Sequence, residues 1–376
     1  MTAVLEGTAD HPHARLVLGG ALGSGAPSHA YLFHGPPGTG KRTAARALAA
    51  ELLAEGGPDP HGVRRRVGHG AHPDLTWVKP TGAHVMRVDD VDEAVVAAAT
   101  RTPFESRRRV FVLERADTMN DEVANRMLKT LEEPAPYVHL ILLTDFLGRV
   151  LETVVSRCQL VRFDPLPAER IAATLETEGI EPRRAVACGR LALGNAARAR
   201  YLASEEGDAL RSDVDALLRS VLTDEDRGAR EPWRPLLERA EERKAVAEAA
   251  VAADAERRLE LEPKGRERRA LERVFDDAAK RDGRRARTEV LDLALELAAL
   301  GLRDLVCVAE GADEAILAID HIADLAPAAR GRDARRLRQA VERCEDARMS
   351  LELNVMEDLM LSALTIRLRR LVGSPG

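Results

Sequence analysis

The run Gly35-Pro36-Pro37-Gly38-Thr39-Gly40-Lys41 has the composition and spacing of a phosphate-binding loop. Its glycines permit a turn whose backbone N–H groups converge on phosphate oxygens. A following helix adds the positive end of its dipole, and Lys41 reaches the outer phosphates. Hydrolysis at such a loop needs two more things: a hydroxyl after the lysine to take a magnesium ligand position, and a strand ending in acids. Here Arg42 follows the lysine, and Thr43 comes one helical step of about 100° too late to replace it. The stretch VFVLERAD (110 to 117) ends its strand in Glu114 where an Asp is usual, followed by Arg115 where a water-activating Glu belongs. Losing that base alone removes a factor of roughly 10² to 10⁴ in rate. The set predicts a loop that accepts ATP or ADP, with Arg42 and Arg115 arguing against magnesium and against appreciable hydrolysis.

These residues need a scaffold, and the flanking pattern supplies one. AYLFHG (30 to 35), LTWVKP (75 to 80), VFVLE (110 to 114), HLILLT (139 to 144) and QLVRF (159 to 163) read as short strands. TAARALAAELLAE (43 to 55), VDDVDEAVVAAATR (88 to 101) and NDEVANRMLKTLEE (120 to 133), the last stopped by Pro134, read as helices between them. Continuous rather than alternating apolar runs, separated by helices, are what a parallel sheet covered on both faces demands. The expected fold is an α/β core over residues 1–166. After the DPLP turn (164 to 167) strand signals cease, and the rest reads as helix: a small unit over 167–207 and a larger all-α domain over 208–376. Within the latter, 224–287 is so densely charged that it reads as a solvated helical hairpin or partly disordered chain.

Bulk composition bounds the function classes. The 376 residues are 45% hydrophobic and 31% charged but only 3% aromatic, so the cores are aliphatic and favour helix. A formal charge of -6 argues against a protein that coats nucleic acid by itself, although Arg64–Arg66 and Arg107–Arg109 are local candidates for phosphate contact or for protein contact. The four cysteines lie far apart with no CxxC spacing, which suggests neither a disulfide framework nor a thiolate zinc site. Without a charged-then-apolar leader or an apolar run of about 18 residues, the expected location is the cytoplasm, with no membrane insertion.

Several stretches together point to one family. HAYLFHGPPGTGK (29 to 41), HPDL (72 to 75), ANRMLKTLEEPAPYVHLILLT (124 to 144), VVSRCQLVRFDPL (154 to 166) and LELNVMEDLMLSALTIRLR (351 to 369) resemble the delta-prime family of bacterial DNA polymerase III, in the clamp-loader branch of the AAA+ superfamily. The LKTLEEP and SRC stretches are specific to clamp loaders; the phosphate loop alone is not. The resemblance implies an AAA+ core of the P-loop NTPase type, a helical lid and a helical collar. It implies a place in a five-membered ring with tau/gamma and delta subunits that loads the sliding clamp onto primed DNA. It also implies roles: Arg157, in Ser156-Arg157-Cys158, is an arginine finger acting in the neighbouring subunit's site, and Thr144 is a phosphate sensor. Arg198, or Arg200 in its place, is the lid sensor.

The family places four cysteines between the first helix and HPD, where this chain has none, so no zinc is expected. His61, His69 and His72 lack a fourth ligand, and the segment reads as a loop. The leading reading is a stator that lends Arg157 and does not hydrolyse ATP itself. The alternatives are a tau/gamma-type motor, which needs the acid pair and hydroxyl missing here, and a nucleotide-dependent scaffold outside replication.

Overall fold

The computed structural model describes residues 5–80, 85–223, 231–259, 265–329, 331–351, 353 and 355–373. The chain divides into two compact units, Met1–Leu166 and Pro167–Gly376.

In the first unit the order is α1 (Pro12–Ser24), β1 (Ala30–His34), α2 (Lys41–Ala54), α3 (Pro60–Gly68), β2 (Leu75–Val78), α4 (Val88–Val91), β3 (Arg109–Leu113), α5 (Asp121–Glu132), β4 (Val138–Thr144), α6 (Glu152–Val155) and β5 (Gln159–Arg162). The five strands form one parallel sheet in the order β2-β3-β4-β1-β5. Successive residues of a strand point to opposite faces, and both faces are buried here. Leu32, Phe111, Leu113, Leu140 and Leu142 pack toward Val123 and Met127 of α5. Tyr31, Phe33, Val110, Val112, Ile141 and Leu143 pack toward Leu48 and Leu52 of α2 and Leu18 of α1. This double burial is why the strands read as unbroken apolar runs. Each fully buried large aliphatic or aromatic side chain contributes roughly 1.5–3 kcal/mol.

Two segments differ from the sequence expectation. The segment after α2 is not a plain loop: α3 forms because Asp59 caps it, accepting the Gly62 N–H at 2.9 Å, with Pro60 in the first turn. Val63 and Val67, one turn apart, then bury against the α2 side of the sheet. The stretch 88–101 is not one regular helix either, since α4 runs on into a π-helical turn, Asp92–Ala97. Val91, Val95, Ala98 and Ala99 are buried on its inner side.

The second unit is all helix: α7 (Ala168–Thr177), α8 (Pro182–Leu191), α9 (Ala196–Ala203), α10 (Glu205–Leu222), α11 (Arg234–Leu259), α12 (Arg266–Glu310), α13 (Ile322–Ala329), α14 (Ala334–Leu351) and α15 (Glu357–Val372). Its core gathers Leu217 and Leu218 of α10, Leu291, Leu295 and Leu302 of α12, Leu337 and Cys344 of α14, and Leu364 and Leu368 of α15, all buried. The charged stretch forms an antiparallel hairpin of α11 against the first half of α12. Arg287 pairs with Glu241 near its base, and the Arg268 guanidinium donates to the Leu259 carbonyl near its tip. Residues 224–230 and 260–264 of that stretch, and 352 and 354 of the C-terminal motif, lie outside the described residues. Among the described residues no helix is long and apolar enough to cross a membrane.

Candidate functional site

β1 delivers the glycine-rich loop to the carboxyl edge of the sheet, where open α/β folds take their ligands. His34, its last residue, is level with Thr144 on β4 and Arg162 on β5. The loop then turns on Gly35, Gly38 and Gly40, with φ of 141°, 73° and 91°. Glycine is obligatory at the first of these, since a Cβ there would lie 1.9 Å from the Phe163 carbonyl oxygen. Thr39 Oγ1 donates to the Pro36 carbonyl at 2.9 Å and closes the turn from inside. The lysine folds back over this turn. Lys41 Nζ donates to the Gly35 and Pro36 carbonyls at 2.5 and 2.6 Å and pairs with Asp145 Oδ1 at 2.7 Å. Burial lowers its pKa, with Asp145 opposing that shift. Pro37 and Gly38 are exposed, as are Arg42 and Thr43 at the start of α2.

A short N-terminal turn lies across the start of α2. Thr8 N–H donates to the Leu5 carbonyl at 3.0 Å, and Gly7 approaches so closely that a Cβ would stand 2.8 Å from the Ala44 nitrogen.

At the end of β3 the acid is fully engaged. Glu114, 3% exposed, accepts the Trp77 indole N–H on Oε1 at 2.7 Å and the Arg42 guanidinium on Oε2 at 2.5 Å. Arg46 stacks over the Trp77 ring at 4.8 Å. Each carboxylate oxygen thus already has a donor, and one of the two donors is a guanidinium. Arg115 next adopts φ 56°, rare for a residue with a side chain, and its carbonyl accepts both the N–H and the Oγ1–H of Thr118 at 2.9 and 2.7 Å. This reversal swings Asp117 toward β4, where its Oδ1 accepts the Thr144 hydroxyl at 2.8 Å. Thr144 Oγ1 in turn accepts the Phe146 N–H at 3.0 Å. Glycine loop, Glu114 and Thr144 therefore share one edge of the sheet.

Arg157 lies just before β5, beside the end of α5. Its Nε–H donates to Glu132 Oε1 at 2.9 Å, a second guanidinium nitrogen stands 2.5 Å from the same oxygen, and the third donates to the Thr153 carbonyl at 2.8 Å. One third of the side chain, 33%, remains exposed. Its neighbour Cys158 packs on the core, and burial pushes its thiol up to about 12, so that it anchors the turn as a neutral group.

Residues 11–167 match the family model described as DNA polymerase III, delta subunit. Over 162 residues the chain is 37% identical to DNA polymerase III subunit delta' of Bacillus subtilis, spanning 42% of this chain and 49% of that protein. Over 155 residues it is 38% identical to the subunit of the same name in Pseudomonas aeruginosa, spanning 40% and 46%. The N-terminal unit is thus similar in sequence to delta' clamp-loader subunits along almost all of its length. The chain also matches the gamma/tau subunit of Mycobacterium tuberculosis, 34% identical over 177 residues, spanning 45% of this chain and 30% of that one. Among solved structures, a gamma subunit-related protein of Thermotoga maritima aligns with a TM-score of 0.48 at 16% identity, covering 94% of this chain and 98% of that one. The chain thus matches about half the length of the delta' relatives, and the match lies in its N-terminal unit.

The stretch His72-Pro73-Asp74 is structural here. Asp74, fully buried, accepts the backbone N–H groups of Phe104, Glu105 and Ser106 at 2.5, 2.9 and 2.9 Å, and His72 sits 2.9 Å from Glu105. Among the described residues no group of three or more His, Cys, Asp or Glu is placed to hold a metal. The basic triplets are largely satisfied internally, Arg64 by Glu51, Arg66 by Glu105 and Arg108 by Glu55. In the second unit Arg198 pairs with Glu296 at 2.9 Å and Arg200 with Glu178 at 2.8 Å. Sequence reasoning missed Trp77, Asp117, Glu132 and Asp145, whose roles depend on which strand ends lie side by side.

Proposed function

We propose that the chain is a delta-prime-type stator of the bacterial replicative clamp loader. In this reading residues 1–166 are the AAA+ core, 167–207 the lid and 208–376 the collar through which it joins tau/gamma and delta subunits in a five-membered ring. The ring places the sliding clamp on primed DNA. The chain holds ATP or ADP at Gly35–Thr43 without hydrolysing it appreciably, Thr144 and Arg198 serve as sensors, and Arg157 acts in the neighbour's site. There a guanidinium supplied in trans stabilises the charge spread over the transferring phosphoryl oxygens.

The observation that carries the proposal is the engagement of Glu114 by Arg42 and Trp77, which removes the acid a hydrolytic core needs. The likeness to gamma/tau subunits gives a motor reading some footing, but that same engagement and Arg115 speak against it. The test is reconstitution of the loader with Arg157→Ala in this chain. Clamp-stimulated ATPase of the neighbour is expected to fall by about 10³ or more; an unchanged rate removes the finger role. Turnover of several ATP per second by the purified chain, abolished by Lys41→Ala, would remove the stator role.

A further inference from the structure

Resting on the reading of Gly35–Lys41 as a nucleotide loop, we infer that the Arg42 guanidinium takes the place of the divalent cation there, so that the loop accepts a nucleoside di- or triphosphate as the metal-free anion. The geometry couples two departures from a hydrolytic site into one device. Arg42 occupies the first turn of α2, immediately after the lysine, and one of its terminal nitrogens donates to Glu114 Oε2 at 2.5 Å. Its side chain is 61% exposed, and its Nε–H and other terminal nitrogen make no hydrogen bond among the described residues. Those donors remain for phosphate oxygens, which a planar guanidinium meets in pairs.

Glu114 is the anchor. It is buried, and the Trp77 indole at 2.7 Å fixes its orientation, so the carboxylate that would hold a metal instead holds a cation belonging to the chain. A hard divalent ion needs oxygen ligands. Position 42 offers it a cation in place of a hydroxyl, and that cation already stands on one oxygen of Glu114 while the Trp77 indole holds the other. Lys41 at the same edge is paired with Asp145, which leaves the exposed Arg42 guanidinium as the more available cation of the two. Arg42 and a divalent ion are therefore alternatives, and the sequence carries the first.

The test titrates the full chain with ADP and with ATP by calorimetry, in excess magnesium and in excess chelator at equal ionic strength. Chelation is expected to change the wild-type Kd by less than about twofold, while Arg42→Ser weakens metal-free binding by about tenfold or more, the loss of charge-assisted hydrogen bonds to phosphate. Adding magnesium is expected to restore part of the affinity of Arg42→Ser, because Glu114 is then released. A wild-type loss of tenfold or more on chelation overturns the inference while leaving the nucleotide reading intact; this arm uses no variant and so does not depend on one folding. Metal-free binding by a folded Arg42→Ser as tight as wild type also overturns it. No binding in either buffer overturns both.

Discussion

Arg42 and Glu114 stand 72 positions apart in the chain and meet at 2.5 Å, joining the start of α2 to the end of β3. The pair is one-sided, with a buried acid and a largely exposed base. Solvent screening on the arginine side limits its worth, so a double-mutant cycle of Arg42→Ala and Glu114→Gln is expected to give a coupling energy of about 1 kcal/mol in urea unfolding. A coupling near zero would show that the contact contributes nothing to the fold.

Asp74 is the opposite case. It is buried, and its carboxylate serves three backbone donors of the Phe104–Ser106 loop. Asp74→Ala leaves those donors without an acceptor and is expected to cost about 3 kcal/mol, read as a drop in the urea midpoint at constant slope. Loss below about 1 kcal/mol would mean that water replaces the carboxylate at little cost.

His139 links stability to pH. Burial lowers its pKa to about 4, against an ordinary value of 6.5. The neutral ring donates from Nδ1 to the Ser28 carbonyl at 2.9 Å and accepts from Arg108 at Nε2 at 3.3 Å. Between pH 6.5 and 4 the unfolded chain binds a proton that the folded chain does not, so stability falls as pH falls through this window, by up to about 3 kcal/mol. Urea titrations at pH 7 and pH 5 are expected to show part of this loss in wild type and much less of it in His139→Asn, which starts from lower stability. Equal slopes in the two proteins would assign the pH dependence elsewhere.

Glu132 orients Arg157 through the two contacts to its Oε1. Because the pair is half exposed, Glu132→Ala is expected to change stability by about 0.5 kcal/mol or less. In the reconstituted loader the same variant is expected to lower the neighbour's kcat severalfold with KM unchanged, between wild type and Arg157→Ala. An unchanged kcat would mean that the neighbour's site alone orients the guanidinium.

The legibility of this molecule in its sequence has a physical basis. β1 and β4 are readable because burial on both faces leaves unbroken apolar runs, and α5 because Asn120 caps it and Pro134 comes just after it. The glycine loop is readable because its geometry tolerates few residue types. α3 escapes a reading by pattern, although Asp59-Pro60 announces its start, because Gly, His and Arg dominate residues 61–66. Arg42 is visible as a departure, but its partner is not. The pairing depends on the start of α2 and the end of β3 lying side by side, which the register of β1, β4 and β3 establishes and no local pattern records. The same holds for Asp117 with Thr144 and for Asp145 with Lys41. In the charged stretch, composition announces solvation, and only the antiparallel pairing of α11 with α12 distinguishes a hairpin from loose chain.

The bonds of Lys41 have a thermodynamic corollary. Its ammonium is neutralised from within, by Asp145 and two carbonyls of its own loop. Any anion entering the loop must compete with that internal acid, so the net gain is the difference between two similar interactions rather than the whole of one. Asp145 thereby sets an affinity ceiling: a neutral side chain at that position would tighten anion binding without touching a single group that meets the anion.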